Sequence, residues 1–426
     1  MTGLQPMHHS PKKLYTQLQK LFKEKSKNSS FDPIHFSAWE KFAKLGLPLR
    51  RKDLFQYFPL HRMYSSLSKK RGINTQGSSI PKLRKATIHF DHGSPTIAQE
   101  VEKIVILPIA DAMHSYSSII MGKCLSTLAK ENNPFVLLNQ SMAEGLFIYV
   151  PPNTVIDSPI ALTDYVQDSW LSCPFLLVFV GAGSKITLSM DEKFSESKDD
   201  FLVNSHFQIH IGEGACVSYY YTDMTKHVEA WNMHSIRAFL QRDSSFSSIS
   251  LYGGQRIHHQ DIAIFLEGEN ASTDVRGLWA LEDNHQAHVK VLISHLSPHT
   301  RSYQHFKGVN CDKSHSSFEG KIYVYPEAQK TEAYQLSHQL LLSDRAIANA
   351  KPNLEIFADD VKASHGATIS KLSREELFYL QTRGLSSKEA ISCLLQGYYR
   401  EILQLVTIPS IRALGDNLAQ QCIPSL

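Results

Sequence analysis

The chain has 426 residues, 42% of them hydrophobic and 20% charged, with a formal net charge of +3. That length predicts two or three domains around a large core, and the near-neutral balance gives no field for nucleic acid or acidic membranes. Six cysteines lie far apart (Cys124, Cys173, Cys216, Cys311, Cys393 and Cys422) with no CxxC pair, which excludes a zinc ribbon or a ferredoxin-type cluster motif and fits a reducing compartment.

The N-terminal MTGLQPMHHSPKKLY has no apolar segment of a secretory leader. The longest apolar run, Pro174–Val180, is too short to span a bilayer, so a cytoplasmic protein is expected. Residues 1–82 read as a helical domain with a linker. Leu14, Leu18, Leu21 and Phe22 share one helical face. A second helix carries Trp39, Phe42, Ala43 and Leu45 and stops at Gly46-Leu47-Pro48. Pro48 then opens a segment holding Leu54, Phe55 and Tyr57. Gly72–Pro81 (GINTQGSSIP) has the composition of a linker.

From about Leu83 the helical period fades, and residues 83–372 alternate Val, Ile, Phe, Tyr, Ser and His. Phe147–Val155, Leu177–Ile186, Ile209–Val217 and Ile264–Thr273 share one form: an apolar strand, a turn of Gly, Pro or Asn, a small residue, then another strand. Ala238–Phe246 fits more loosely. The turn positions Pro151, Gly181, Gly212, Gln241 and Glu267 step by 30, 31, 29 and 26 residues. A near-constant step marks a stacked repeat, in which neighbours bury what one unit cannot. Helical solenoids lack this spacing, and propeller blades need more residues and a signature absent here. A parallel β-helix, or β-solenoid, is therefore expected; an evenly spaced β-sandwich is the competing arrangement.

The stretch Asn353–Gly384 is a seam. Leu354, Ile356 and Phe357 form a strand-like run, and Asp359, Asp360, Lys362, Ser364 and His365 crowd polar chemistry into seven residues. Ser373 with Glu376 suits a capping box that opens a helix whose apolar face is Leu377, Phe378 and Leu380, with Gly384 as its stop. Residues 373–426 read as a helical domain. Ser386 and Glu389 give a second capping box; Ile391, Leu394, Leu395, Tyr398, Ile402 and Leu405 form a stripe on a helix that Pro409 is expected to end, and Ile411–Gln421 is expected to add one more helix. Internal packing accounts for such a stripe; a helical unit at the end of a β-stack also offers a face to a partner protein.

Chemistry is thinly encoded. His285, His288, His295, His299, His305 and His315 cluster in sequence, but without an HExxH or a His-x-His array they read as strand histidines. No GxxxxGK[ST] loop or GxSxG elbow occurs, and Gly181 and Gly212 belong to strand turns. Asp359, Asp360, Lys362 and Arg383 form an acid/base set only by analogy with β-helix polysaccharide lyases.

The residues of the seam, LEIFADDVKASHGAT and LFYLQTRG, resemble the SufB/SufD family of iron–sulfur cluster assembly proteins, on the SufD side more than the SufB side. The likeness extends through Phe318–Val324, Ala328–Ala333, Leu340–Ser343, Gly145–Pro151, Ala38-Trp39 and Gly46–Pro48. It implies a β-helix core with helical flanks and a non-enzymatic SufD-like subunit, pairing with SufB and docking the ATPase SufC. By position, His365 would be the metal or nascent-cluster residue. Asp359, Asp360, Lys362 and Ser364 would face SufB. Phe378, Tyr379 and Arg383 would meet SufC. SufD-like chains often carry cysteine two places before that histidine; here it is Ala363, so a thiolate there is ruled out. The resemblance implies no tightly bound cofactor of this chain alone, only iron or a nascent cluster shared with SufB. A SufB-like scaffold that is a homodimer in isolation and a β-helix carbohydrate enzyme are the alternatives.

Overall fold

The computed structural model describes residues 9–28, 33–49, 54–69, 87–91, 93–166, 170–194, 200–224, 228–253 and 255–423. Three helices come first: α1 (His9–Asn28), α2 (Pro33–Leu45) and α3 (Leu60–Leu67). Short strands β1 (Ile88–Asp91), β2 (Ser94–Ile97) and β3 (Val105–Pro108) then lead into α4 (Ile109–Lys130) and α5 (Pro134–Met142). The winding part begins with β4 (Leu146–Val150), β5 (Ile160–Val166), β6 (Leu171–Ser172), β7 (Phe175–Val180) and β8 (Lys185–Phe194). It continues through β9 (Phe201–Ile211), β10 (Cys216–Asp223), β11 (Val228–Leu240), β12 (Ser245–Tyr252), β13 (Gln255–Leu266) and β14 (Ser272–Leu281). It closes with β15 (Gln286–His295), β16 (Arg301–Asn310), β17 (His315–Val324), β18 (Glu332–Leu341), β19 (Ile347–Ile356) and β20 (Lys362–Ser370). Helices α6 (Arg374–Thr382), α7 (Ser387–Leu403) and α8 (Pro409–Gln421) end the chain.

Two sheets face each other, and the chain alternates between them. Sheet I runs β2-β1-β5-β8-β10-β12-β14-β16-β18-β20; sheet II runs β19-β17-β15-β13-β11-β9-β7-β4-β3. From β4 and β5 onward the pairings are parallel, so each strand lies beside its counterpart one turn earlier. This is the expected parallel β-solenoid, of about seven turns, with helices at both termini. The turn positions read from the sequence fall on successive rungs. The Gly181, Gly212, Gln241 and Glu267 amides donate to Val150, Val180, Ile211 and Leu240 at 2.8, 2.8, 3.0 and 2.9 Å. The rhythm has a local cause: successive corners place a residue in the left-handed region, among them Asn153 (φ 55°), Gly183 (66°), Gly214 (65°), Asp243 (57°) and Asn270 (58°). Asn, Asp and Gly tolerate that conformation best, which fixes where turns recur.

Inward side chains alternate with outward ones and fill the lumen, from Ile148, Val178, Ile209 and Ala238 on sheet II to Leu162, Leu188, Tyr219 and Phe246 on sheet I. Large rings sit beside glycines: a Cβ on Gly308 would collide with the Trp279 indole, and one on Gly277 with the Phe306 ring.

The structure departs from the sequence reading in four places. The helical period does not simply fade after Leu83, because α4 and α5 lie within that stretch and pack on the outer face of sheet II. Leu54, Phe55 and Tyr57 are not helical; Phe55 and Phe58 instead drop onto sheet II, against His259 at 5.1 Å and Trp231 at 6.1 Å, with Phe55 also 5.3 Å from Phe135 of α5. Pro409 starts α8, whereas α7 ends at Leu403. Most importantly, the C-terminal helices do not hang from the stack. Ile391, Leu395, Tyr399, Ile402 and Leu403 bury against Tyr220, Ile249, Leu251, Leu278, Ala280 and Val309 on the outer face of sheet I. The Tyr399 hydroxyl donates to the Trp279 carbonyl at 2.7 Å. Most of the stripe is thus internal packing, while Leu405 at its end stays exposed. The Gly72–Pro81 linker lies outside the described residues. Among the described residues no helix is long and apolar enough to cross a membrane.

Candidate functional site: the open rung of the solenoid

The two ends of the solenoid differ. At the first end β2 and β3 run antiparallel to β1 and β4 and finish the sheets. At the other, among the described residues, no strand follows β19 or β20, so a full rung of ten and nine residues has an unpaired edge on each sheet. Edge strands of this length present rows of unmatched backbone N–H and C=O groups to an incoming chain. Ile347, Ile356, Phe357 and Ile369 around this rung are large, apolar and exposed.

His365 lies on this rung. Its register partner is Gln335, which in turn pairs with Gln304, and both glutamines are fully buried in the lumen. Residues in register share a face, so the imidazole belongs to the inward column but is exposed because nothing lies above it. Beneath it the Gln335 amide spans the lumen to Gly320 of β17, where any Cβ would collide with it. Ala363 and Ala367 flank His365 on the same face, so the strand offers imidazole without thiol.

The other seam residues take different places. Asp359 and Asp360 form the exposed corner between β19 and β20. Asp360 pairs with Lys330 one rung below, its amide donates to Gln329 Oε1 at 3.0 Å, and Lys362 reaches Glu332 at 3.2 Å. These exposed pairs tie the last rung to its neighbour and contribute little each. Ser364 faces outward beside Tyr334. The Ser373 hydroxyl accepts from the Glu376 amide at 3.2 Å, and Gly384 (φ 93°) follows α6 as a helix stop. Of the expected apolar face of α6, Leu377 packs inward while Phe378, with Tyr379, is exposed at 66% and 56%. The Arg383 guanidinium lies 5.1 Å from the Tyr379 ring centroid. The structure therefore brings His365, Ser364 and Lys362 together on one strand and leaves Phe378, Tyr379 and Arg383 as a separate exposed group.

The six clustered histidines do not converge. His288 and His315 are on the outer face of sheet II, His295 bonds Thr300 and Ser302, and His305 sits beneath α7 near Glu401. Among the described residues no three His, Cys, Asp or Glu side chains are grouped to hold a metal ion.

Sequence reasoning missed a polar network inside the lumen. Asp164, Glu192 and Asp223 occupy successive rungs of sheet I. Glu192 accepts from Tyr221 at 2.6 Å, from Ser205 at 2.9 Å, and from Asn232. Asp223 accepts from Asn232 at 3.0 Å and lies 3.1 Å from His258 Nδ1. Burial, followed by the charge of Asp223, pushes the Glu192 carboxyl up to about 7. Burial, then Glu192 and Asp91, raises Asp164 well above the carboxylate range. Burial lowers His258 to about 4, so it stays neutral. The signal was available as three acids spaced by one repeat each. A second buried group joins Arg237 to Glu131 at 2.7 Å and Asp261 at 2.6 Å. Burial opposes the Arg237 charge, but Asp261 and Glu131 outweigh it and hold the guanidinium ionised.

Comparison with known proteins matches residues 165–398 to the SUF system FeS cluster assembly, SufBD core domain. An iron–sulfur cluster assembly SufBD family protein of Synechocystis is 26% identical over 361 residues, 81% of this chain and 78% of that one. A chloroplastic protein of Arabidopsis thaliana is 28% identical over 288 residues, 64% of this chain and 59% of its own. The iron–sulfur cluster assembly protein SufD of Escherichia coli is 32% identical over 161 residues, 38% of each chain.

Proposed function

Because the chain belongs to the SufBD family of the SUF iron–sulfur cluster assembly system, we propose that it is a SufD-like, non-catalytic scaffold subunit acting in the cytoplasm. The observation that carries this reading is the open rung, with two unpaired strand edges, an apolar rim and one exposed imidazole. A SufB-like subunit continues the sheets across β19 and β20, as strand addition to an exposed edge allows. Iron or a nascent cluster is cargo at that junction: His365 supplies one nitrogen ligand and the SufB-like partner supplies the rest. Asp359, Asp360, Lys362 and Ser364 line the rim of the same junction. A SufC-like ATPase docks on Phe378, Tyr379 and Arg383, and its ATP cycle supplies the conformational work.

The test is co-expression with SufB-like and SufC-like subunits. Ile369→Lys should release the SufB-like subunit while SufC capture persists, and Phe378→Ser with Tyr379→Ser should do the reverse. His365→Ala should leave the complex assembled and lower cluster loading, read by visible absorbance. Normal loading in that variant removes the role of the imidazole. Retention of SufB by Ile369→Lys removes the edge placement. The same unpaired edges favour a homodimer when the chain is alone, which light scattering reports.

A further inference from the structure

Two of the cysteines meet in space, although 111 positions separate them in the chain. Cys311 opens the corner after β16, and Cys422 caps the end of α8. Both are buried where the C-terminal helices pack on sheet I. One carbonyl gathers them: Leu281 O accepts from the Cys311 amide at 2.8 Å and from the Cys422 thiol at 3.5 Å. The Cys311 thiol in turn donates to the Cys422 carbonyl at 3.9 Å. The neighbouring Gln421 side chain donates to the Gly253 carbonyl, which pins the end of α8 to the solenoid. The two thiols also hydrogen-bond each other. That bond, then burial, pushes the Cys422 thiol well up, so Cys422 keeps its proton beside the Cys311 sulfur.

We infer that Cys311 and Cys422 form a modification site, which a hydroperoxide oxidises to a disulfide that staples α8 to the solenoid. The Cys311 thiolate attacks one oxygen of the hydroperoxide. The O–O bond breaks, and the leaving alkoxide takes up the proton that Cys311 gave and departs as alcohol. The Cys422 sulfur then attacks the Cys311 sulfenic acid. The S–S bond forms, the S–O bond breaks, and hydroxide leaves with the Cys422 proton as water. The two thiols lose two electrons and the peroxide gains them. Burial of both sulfurs makes the reaction slow and dependent on local opening at the end of α8. The closed loop contains β17 to β20 and α6 to α8, so the staple spans the whole open rung. A cross-link that closes a loop of this length constrains the unfolded chain strongly.

The full chain carrying Cys216→Ser and Cys393→Ser, which removes the exposed thiols, is incubated with cumene hydroperoxide. One sample is kept in native buffer and the other in urea above the unfolding midpoint. The native sample should give a Cys311–Cys422 cross-linked peptide by non-reducing mass mapping and melt about 3–5 °C higher. Dithiothreitol should reverse both changes. Cys422→Ser in the same background should show neither; if it fails to fold, Cys311→Ala takes its place. Free thiols at both positions after prolonged exposure overturn the inference. So does a cross-link that forms only in the unfolded sample, or a rise in Tm that persists in Cys422→Ser.

Discussion

Replacing Glu192 by glutamine should make the protein more stable above neutral pH. The carboxyl is fully buried in the lumen, and its folded-state value is about 7 against an ordinary 4.5. Asp164 and Asp223 flank it on neighbouring rungs, and His234 and His258 on the facing sheet are held neutral by burial. The folded state thus binds a proton that the unfolded state releases between pH 4.5 and about 7. Stability linked to this group is intact below pH 4.5 and is lost as pH rises through about 7. That displacement corresponds to on the order of 3 kcal/mol. Glutamine keeps a carbonyl acceptor for Tyr221 and Ser205 and carries no charge to desolvate. Urea unfolding at pH 5 and pH 8.5 measures the effect. The wild-type midpoint should fall between the two, and the Glu192→Gln midpoint should fall less and exceed wild type at pH 8.5. An equal fall in both proteins, or a variant weaker than wild type at pH 8.5, would refute the reasoning.

Two other perturbations probe the scaffold. Arg237→Met strands Glu131 and Asp261 in a buried site and should cost about 3–5 kcal/mol in urea unfolding at pH 7. Burial alone would raise Asp261, but Arg237 holds it at about 2, so the stability this carboxylate contributes disappears as pH falls from 3.8 toward 2. The deficit of the variant should shrink over that window. Gly308→Ala drives a methyl into the Trp279 indole and should cost about 1–3 kcal/mol by thermal melting, with a change in tryptophan emission. Unchanged emission would mean that the ring is not seated against that strand.

The winding itself was legible in the chain. Corners such as Asn153, Gly183 and Asp243 need left-handed backbone, and their recurrence at one repeat length sets the rung spacing before any tertiary contact is known. Strand alternation likewise fixed which residues face the lumen. The seam at His365 was visible because its residues are contiguous. What the outer faces pack against was not legible. The Ile391, Leu395 and Ile402 stripe is equally apolar whether it meets sheet I or another protein, and only the pairing with Ile249, Leu278 and Val309 decided it. The Asp164, Glu192 and Asp223 column depends on residues about 30 apart lying in register. Local chemistry dictated where the coil turns. Which rung stays open, and which groups meet across the lumen or along a face, depends on contacts between distant segments, and only the folded chain decided them.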